Sequence, residues 1–64
     1  MDAALRDLRE RAAMFARLGY TEKDAAARLQ SRIAWDFERS RPAGLSDAAI
    51  TKLVAEAYQR HAPR

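Results

Sequence analysis

Apolar residues recur every three or four positions along most of this chain, and that spacing predicts three amphipathic helices. The first is expected from about Asp2 to Leu18, the second over 22–39 and the third over 46–61. The segments between them are short, which favours helices that pack against their neighbours. We therefore predict an all-α fold, a small three-helix bundle that forms one domain over residues 1–64.

Local signals mark the joint between the first two helices. Gly19 follows Leu18 at the position where a left-handed residue ends a helix, because only glycine adopts that conformation without steric cost. The same geometry is expected to place Tyr20 against Phe15. Thr21 is the predicted N-cap of the second helix, with an acidic residue three positions later as in a weak capping box.

The second connection begins after a long uninterrupted stretch. No glycine or proline lies between Thr21 and Arg39, so the second helix is expected to continue to about Arg39. Pro42 then disfavours helix for the residue before it. Ser46 is the predicted cap of the third helix, and Leu45–Ile50 has the spacing of a hydrophobic staple. Pro63 is expected just beyond the end of that helix.

The apolar stripes define the expected core. Helix one contributes one stripe, helix two a stripe widened by two alanines, and helix three a stripe with His61 on its extension. These residues are Leu5, Leu8, Ala12, Phe15 and Leu18; Ala26, Leu29, Ile33 and Phe37 with Ala27 and Ala34; and Ile50, Leu53, Val54, Ala57 and Tyr58.

Composition makes this core thin. Hydrophobic residues are 48% of the 64 residues, but alanine dominates them and buries little area. A chain of this length buries only about 60% of the surface that its unfolded form exposes. The sequence has no cysteine, so no disulfide compensates. Self-association is therefore one expectation, since small domains often need it.

Charge and chain termini restrict the class of protein. The net charge is +3 with a pI near 10.0, which is compatible with nucleic acid or an acidic protein partner. No long apolar run predicts a membrane span, and the N-terminus lacks the features of a secretion signal. We expect a cytoplasmic protein without membrane association.

Catalytic and metal-binding patterns are missing from the sequence. His61 is the only histidine and there is no cysteine, so a zinc site of ordinary ligand number is not expected. No serine or threonine lies in a glycine-tight elbow with a base at a recognisable spacing, and no glycine-rich phosphate loop is present. We expect a protein that is not an enzyme and has no metal or cofactor.

The most informative predicted surface centres on Trp35. At about 100° per residue, Trp35 falls nearly opposite Ile33 and shares its side with Arg28, Arg32 and Arg39. Three interpretations are open. The indole can lie flat on a neighbouring helix under a stacked arginine, it can be a protein-binding hot spot, or it can contact nucleic acid with the arginines on phosphates.

The segment LGYTEKDAAARL resembles ubiquitin-associated domains and their relatives. Those domains are three-helix modules in which the first two helices meet at a Met-Gly-Phe/Tyr loop that binds partners. The resemblance implies partner contacts at Leu18, Gly19 and Tyr20, with leucine in place of methionine. It covers only this joint, because the family breaks after a short second helix and this sequence continues helically.

We therefore expect a non-catalytic helical protein–protein interaction module whose partner is another protein, a second copy, or an enzyme to which it is an accessory subunit. The expected contact surfaces are Trp35 with its arginines first, and the Leu18–Tyr20 joint second. The alternative is a small nucleic-acid-binding regulator that uses the arginine and tryptophan face. A helix-turn-helix motif is not evident around Gln30, where its tight turn would be expected.

Overall fold

Three helices make up almost all of the computed structural model, which describes residues 2–61. They are α1 (Asp2–Leu18), α2 (Glu22–Asp36) and α3 (Asp47–His61), and a 3₁₀ turn, Ala43–Leu45, lies in the second connection. No strand occurs in this range, so the predicted all-α three-helix bundle is confirmed. No helix of the described range has both the length and the apolar composition to cross a membrane. Met1 and residues 62–64, including Pro63, lie outside the described residues.

The core draws on all three helices and on one connector residue, Leu45. Small side chains make up much of it, as the composition predicts. The fully or almost fully buried residues are Leu8, Ala12, Ala16, Ala25, Ala26, Leu29, Ile33, Leu45, Ile50, Leu53, Val54 and Ala57. Phe15, Phe37 and Tyr58 pack against this set while remaining partly exposed.

Three residues that the apolar pattern predicts for the core are exposed. Leu18 keeps 63% of its surface because it lies two residues, about 200° around the helix, from buried Ala16. The predicted widening of the α2 stripe by Ala27 and Ala34 is wrong, because both are exposed and the stripe widens at its opposite edge, where Ala25 is buried. His61 is also exposed, since the buried stripe of α3 ends one turn earlier.

Helix α2 ends at Asp36, three residues before the predicted end at Arg39. The backbone of Phe37 leaves the helical region (φ −119°, ψ 41°), although its N–H still bonds the carbonyl of Ile33 at 3.0 Å. A turn follows, with the N–H of Ser40 bonded to the carbonyl of Phe37 at 3.1 Å. The chain reverses here with the Phe37 side chain packed on the core, so tertiary packing, and not a local breaker, ends the helix.

The second connection is held by Arg41. Its Nε donates to the carbonyl of Leu45 at 2.7 Å, and its Nη2 lies 2.6 Å from a carboxylate oxygen of Asp47. Ser46 caps α3 as predicted, accepting a hydrogen bond from the N–H of Ala49 at 3.2 Å. Leu45 and Ile50, the predicted staple pair, are both buried in the core cluster.

Candidate functional site

The joint between α1 and α2 has the predicted glycine-terminated geometry. Gly19 adopts φ +89°, and its N–H bonds the carbonyl of Ala16 at 3.2 Å. The N–H of Tyr20 bonds the carbonyl of Phe15 at 3.0 Å. These two bonds form a Schellman motif, which satisfies carbonyls that the end of a helix leaves unpaired.

Tyr20 lies between two partners at this joint. Its ring contacts that of Phe15 at a centroid distance of 4.9 Å and a tilt of 55°, which confirms the predicted contact. The guanidinium of Arg28 lies over the Tyr20 ring, 4.9 Å from its centroid, while the Nε of Arg28 donates to Asp24 at 3.2 Å. Arg28 therefore belongs with the joint, and we call Leu18, Gly19, Tyr20 and Arg28 the hinge surface.

Tyr58 ties α3 to this joint, a contact that the sequence pattern does not predict. Its hydroxyl lies 2.5 Å from the carbonyl oxygen of Tyr20 and 3.2 Å from that of Thr21. Burial raises the pKa of Tyr58 above its ordinary value of 10.0, and the negative charges of Asp24 and Glu22 raise it further. The hydroxyl is therefore held in its protonated form, which is the form that donates to the carbonyl.

Polar side chains also set the direction of α2 against α3. Thr21 caps α2 as predicted, accepting from the N–H of Asp24 at 3.1 Å. Further along, the side-chain amide of Gln30 donates to the carbonyl of Asp47 at 3.2 Å and to the hydroxyl of Thr51 at 2.9 Å. Because the start of α2 meets Tyr58 and its middle meets the start of α3, the two helices run antiparallel.

Trp35 projects away from the bundle. It keeps 86% of its surface, whereas Ile33, two positions earlier, keeps 4%, so the predicted orientation of the indole is confirmed. The interpretation in which the ring lies flat on a neighbouring helix is wrong, because that arrangement would cover one face of the ring. Nor does Arg28 stack on Trp35, since its guanidinium is engaged with Tyr20 and Asp24.

The immediate neighbours of Trp35 on α2 are polar or small. Ser31 and Arg32 lie one turn earlier and are exposed, and Arg32 is within 3.8 Å of Asp36. The longer predicted helix would place Arg39 one helical turn beyond Trp35, on the same side of α2. Arg39 instead lies in the turn that follows α2, so it does not share that side with Trp35. We call Ser31, Arg32, Trp35 and Asp36 the Trp35 surface.

The structure thus separates the predicted contact residues into two surfaces. Their centres, Tyr20 before α2 and Trp35 near its end, are on the order of 20 Å apart at about 1.5 Å per residue, although Arg28 of the hinge surface lies only one helical turn before Arg32. No protein-family model, curated protein or solved structure matches this chain.

Proposed function

We propose that this protein is a non-catalytic interaction module that binds another protein, or a second copy of itself, through the Trp35 surface. The observation that carries the proposal is the 86% exposure of the only tryptophan in the sequence. Leaving so large an aromatic side chain in water forgoes the stabilisation that its burial would give. Tryptophan and arginine are also the residues most enriched among binding hot spots.

The charges along the exposed side of α2 support a protein partner over nucleic acid. Arg32 pairs with Asp36 at 3.8 Å, and Arg28 with Asp24 at 3.2 Å, each one helical turn apart. A carboxylate beside each arginine offsets the positive charge that would attract phosphates, and it repels them directly. A protein surface can accept such pairs at the rim of an interface whose centre is the indole.

The neighbourhood of Trp35 also offers space for a partner. Ala27 and Ser31, which precede Trp35 by eight and four positions, are exposed and small, so they lie along the same side of α2 as the indole. Small side chains let another backbone approach closely beside the projecting ring. The hinge surface is a second candidate contact region, because Leu18 is 63% exposed beside Gly19 and Tyr20.

The proposal is tested by comparing Trp35→Ala with a matched variant, Met14→Ala, which removes an apolar side chain that is 38% exposed on α1. Solution mass is measured over a concentration series, and bound proteins are captured from lysate of the source cells. The wild type and Met14→Ala are expected to associate with a partner or with themselves, and Trp35→Ala to lose that association. The proposal would be contradicted if the wild type were monomeric at all concentrations and captured the same proteins as Trp35→Ala.

A further inference from the structure

A cleft between α1 and α3 has a composition distinct from both surfaces described above. Its volume is about 410 Å³, and its lining includes the nearly buried apolar residues Leu53 and Ala57. Charged or ionisable side chains complete it: Arg9 from α1, and Glu56, Arg60 and His61 from α3. The cleft therefore combines an apolar floor with a polar and mostly basic rim.

The arginines of the described residues include some that pair with an aspartate and some that do not. Arg11, Arg28, Arg32 and Arg41 each lie within 4 Å of an aspartate. Arg9 and Arg60, like Arg17 and Arg39, form no ion pair with a side chain of residues 3–61, and both Arg9 and Arg60 are exposed. The lining thus includes two arginines without an ion-pair partner and one carboxylate residue, Glu56.

We propose that this cleft binds an acidic peptide segment, in which a carboxylate lies next to an apolar side chain. A guanidinium group binds a carboxylate through two parallel N–H···O bonds, which gives both charge and geometry. The floor formed by Leu53 and Ala57 accepts the apolar side chain. The volume lies at the small end of ligand sites, which suits one or two side chains and not a nucleic-acid duplex.

The composition of the rim also distinguishes a peptide from single-stranded nucleic acid. Sequence-independent binding of single strands relies on aromatic side chains that stack on bases, and this lining holds no phenylalanine, tyrosine or tryptophan, with the imidazole of His61 as its one aromatic ring. Glu56 precedes Arg60 by four positions, the order in which a glutamate and a basic residue attract each other on a helix. Glu56 therefore competes with a bound carboxylate for Arg60.

The test is an NMR titration of the whole chain with the blocked peptide acetyl-Leu-Glu-Glu-Leu-amide, with its glutamine counterpart as the uncharged probe. The acidic peptide is expected to shift the signals of Arg9, Leu53 and Arg60, and the glutamine peptide to bind at least about tenfold more weakly, as loss of charge-assisted hydrogen bonds predicts. The same titration of Trp35→Ala is expected to give unchanged affinity, because the cleft does not include that residue.

Variants that change the net charge equally distinguish binding in the cleft from electrostatic attraction of the peptide to the whole protein. Arg9→Gln and Arg60→Gln are expected to weaken binding about three- to tenfold, whereas Glu56→Gln strengthens it. Arg17→Gln and Lys23→Gln remove the same charge from exposed positions outside the lining, and are expected to leave affinity nearly unchanged.

Three results would overturn the proposal. If Arg17→Gln weakened peptide binding as much as Arg9→Gln and Arg60→Gln, the net charge of the protein alone would explain the attraction. Tighter binding of a short single-stranded oligonucleotide, at the same signals, would assign the cleft to nucleic acid. No shift at millimolar peptide would show that the cleft has no such ligand. All the substituted side chains are exposed, so each variant is expected to keep the wild-type spectrum elsewhere.

Discussion

At the scale of single residues, the Tyr58 hydroxyl is the contact that joins α3 to the joint between α1 and α2. Tyr58→Phe removes this hydrogen bond and leaves the ring in place, so the free energy of unfolding should fall by about 1 kcal/mol. Urea unfolding measures the change. Tyr20→Phe is the matched control, because the Tyr20 hydroxyl forms no hydrogen bond with residues 3–61, and an equal loss in that variant would contradict the assignment.

The raised pKa of Tyr58 gives this contact a pH dependence. The pKa is 10.0 in the unfolded chain and higher in the folded one, so the folded state holds the proton more tightly. The stabilisation is therefore complete below pH 10.0 and is lost as the pH rises through the folded-state value. The stability difference between the wild type and Tyr58→Phe should shrink above pH 10.0 in urea unfolding; a difference that grows there would contradict the sign.

At the scale of helices and their ends, Gly19 determines how α1 stops. A methyl group added at Gly19 would meet no atom within 4 Å, so the cost of Gly19→Ala comes from the backbone at φ +89° and is about 1–2 kcal/mol. Gly44 does not have a positive φ, and Gly44→Ala should be neutral or slightly stabilising. Thermal unfolding of both variants compares them, and equal effects would refute the conformational explanation.

Sequence signals predicted the helix boundaries that have a local cap and missed the one boundary, the end of α2, that has none. Thr21, Ser46 and Gly19 occupy the predicted cap positions because each acts through local hydrogen bonds or backbone conformation. The end of α2 at Asp36 was not predictable in the same way, since no glycine or proline precedes it. It depends on the packing of Phe37 and on the path that brings Leu45 into the core, both of which are tertiary.

In the predicted surface around Trp35, some features likewise follow from the local helix and others from tertiary packing. The outward direction of Trp35 follows from helical periodicity and is confirmed. The partners of Arg28 do not follow from α2 alone, because the choice between Trp35 and Tyr20 depends on how the Schellman turn places the Tyr20 ring. The contacts of Gln30 and Tyr58 with other elements likewise required the arrangement of three helices.

At the scale of the whole molecule, we expect the buried side of α2, with Ile33, to stabilise the fold, and the opposite, exposed side, with Trp35, to bind the partner. The bundle measures 39 × 20 × 16 Å, so its two shorter dimensions are about one and a half to two helix diameters and its core is a single thin layer. Trp35→Ala should change the free energy of unfolding by less than about 0.5 kcal/mol, because the side chain is 86% exposed.

The matched core variant on the same helix is Ile33→Val. It removes one methylene group from a residue that is 4% exposed, and should cost about 0.5–1.5 kcal/mol. Chemical unfolding of the two variants side by side checks both values. A larger loss for Trp35→Ala than for Ile33→Val would mean that the indole packs within its own chain.

The most direct measurement of the central claim uses the fluorescence of Trp35, which reports on this site alone because the sequence has one tryptophan. In dilute monomeric protein, the emission maximum and the quenching by acrylamide should be close to those of the chain unfolded in urea. Emission should then shift to shorter wavelength, with weaker quenching, when the partner or a second copy binds. Blue-shifted, protected emission in the dilute monomer would contradict the account.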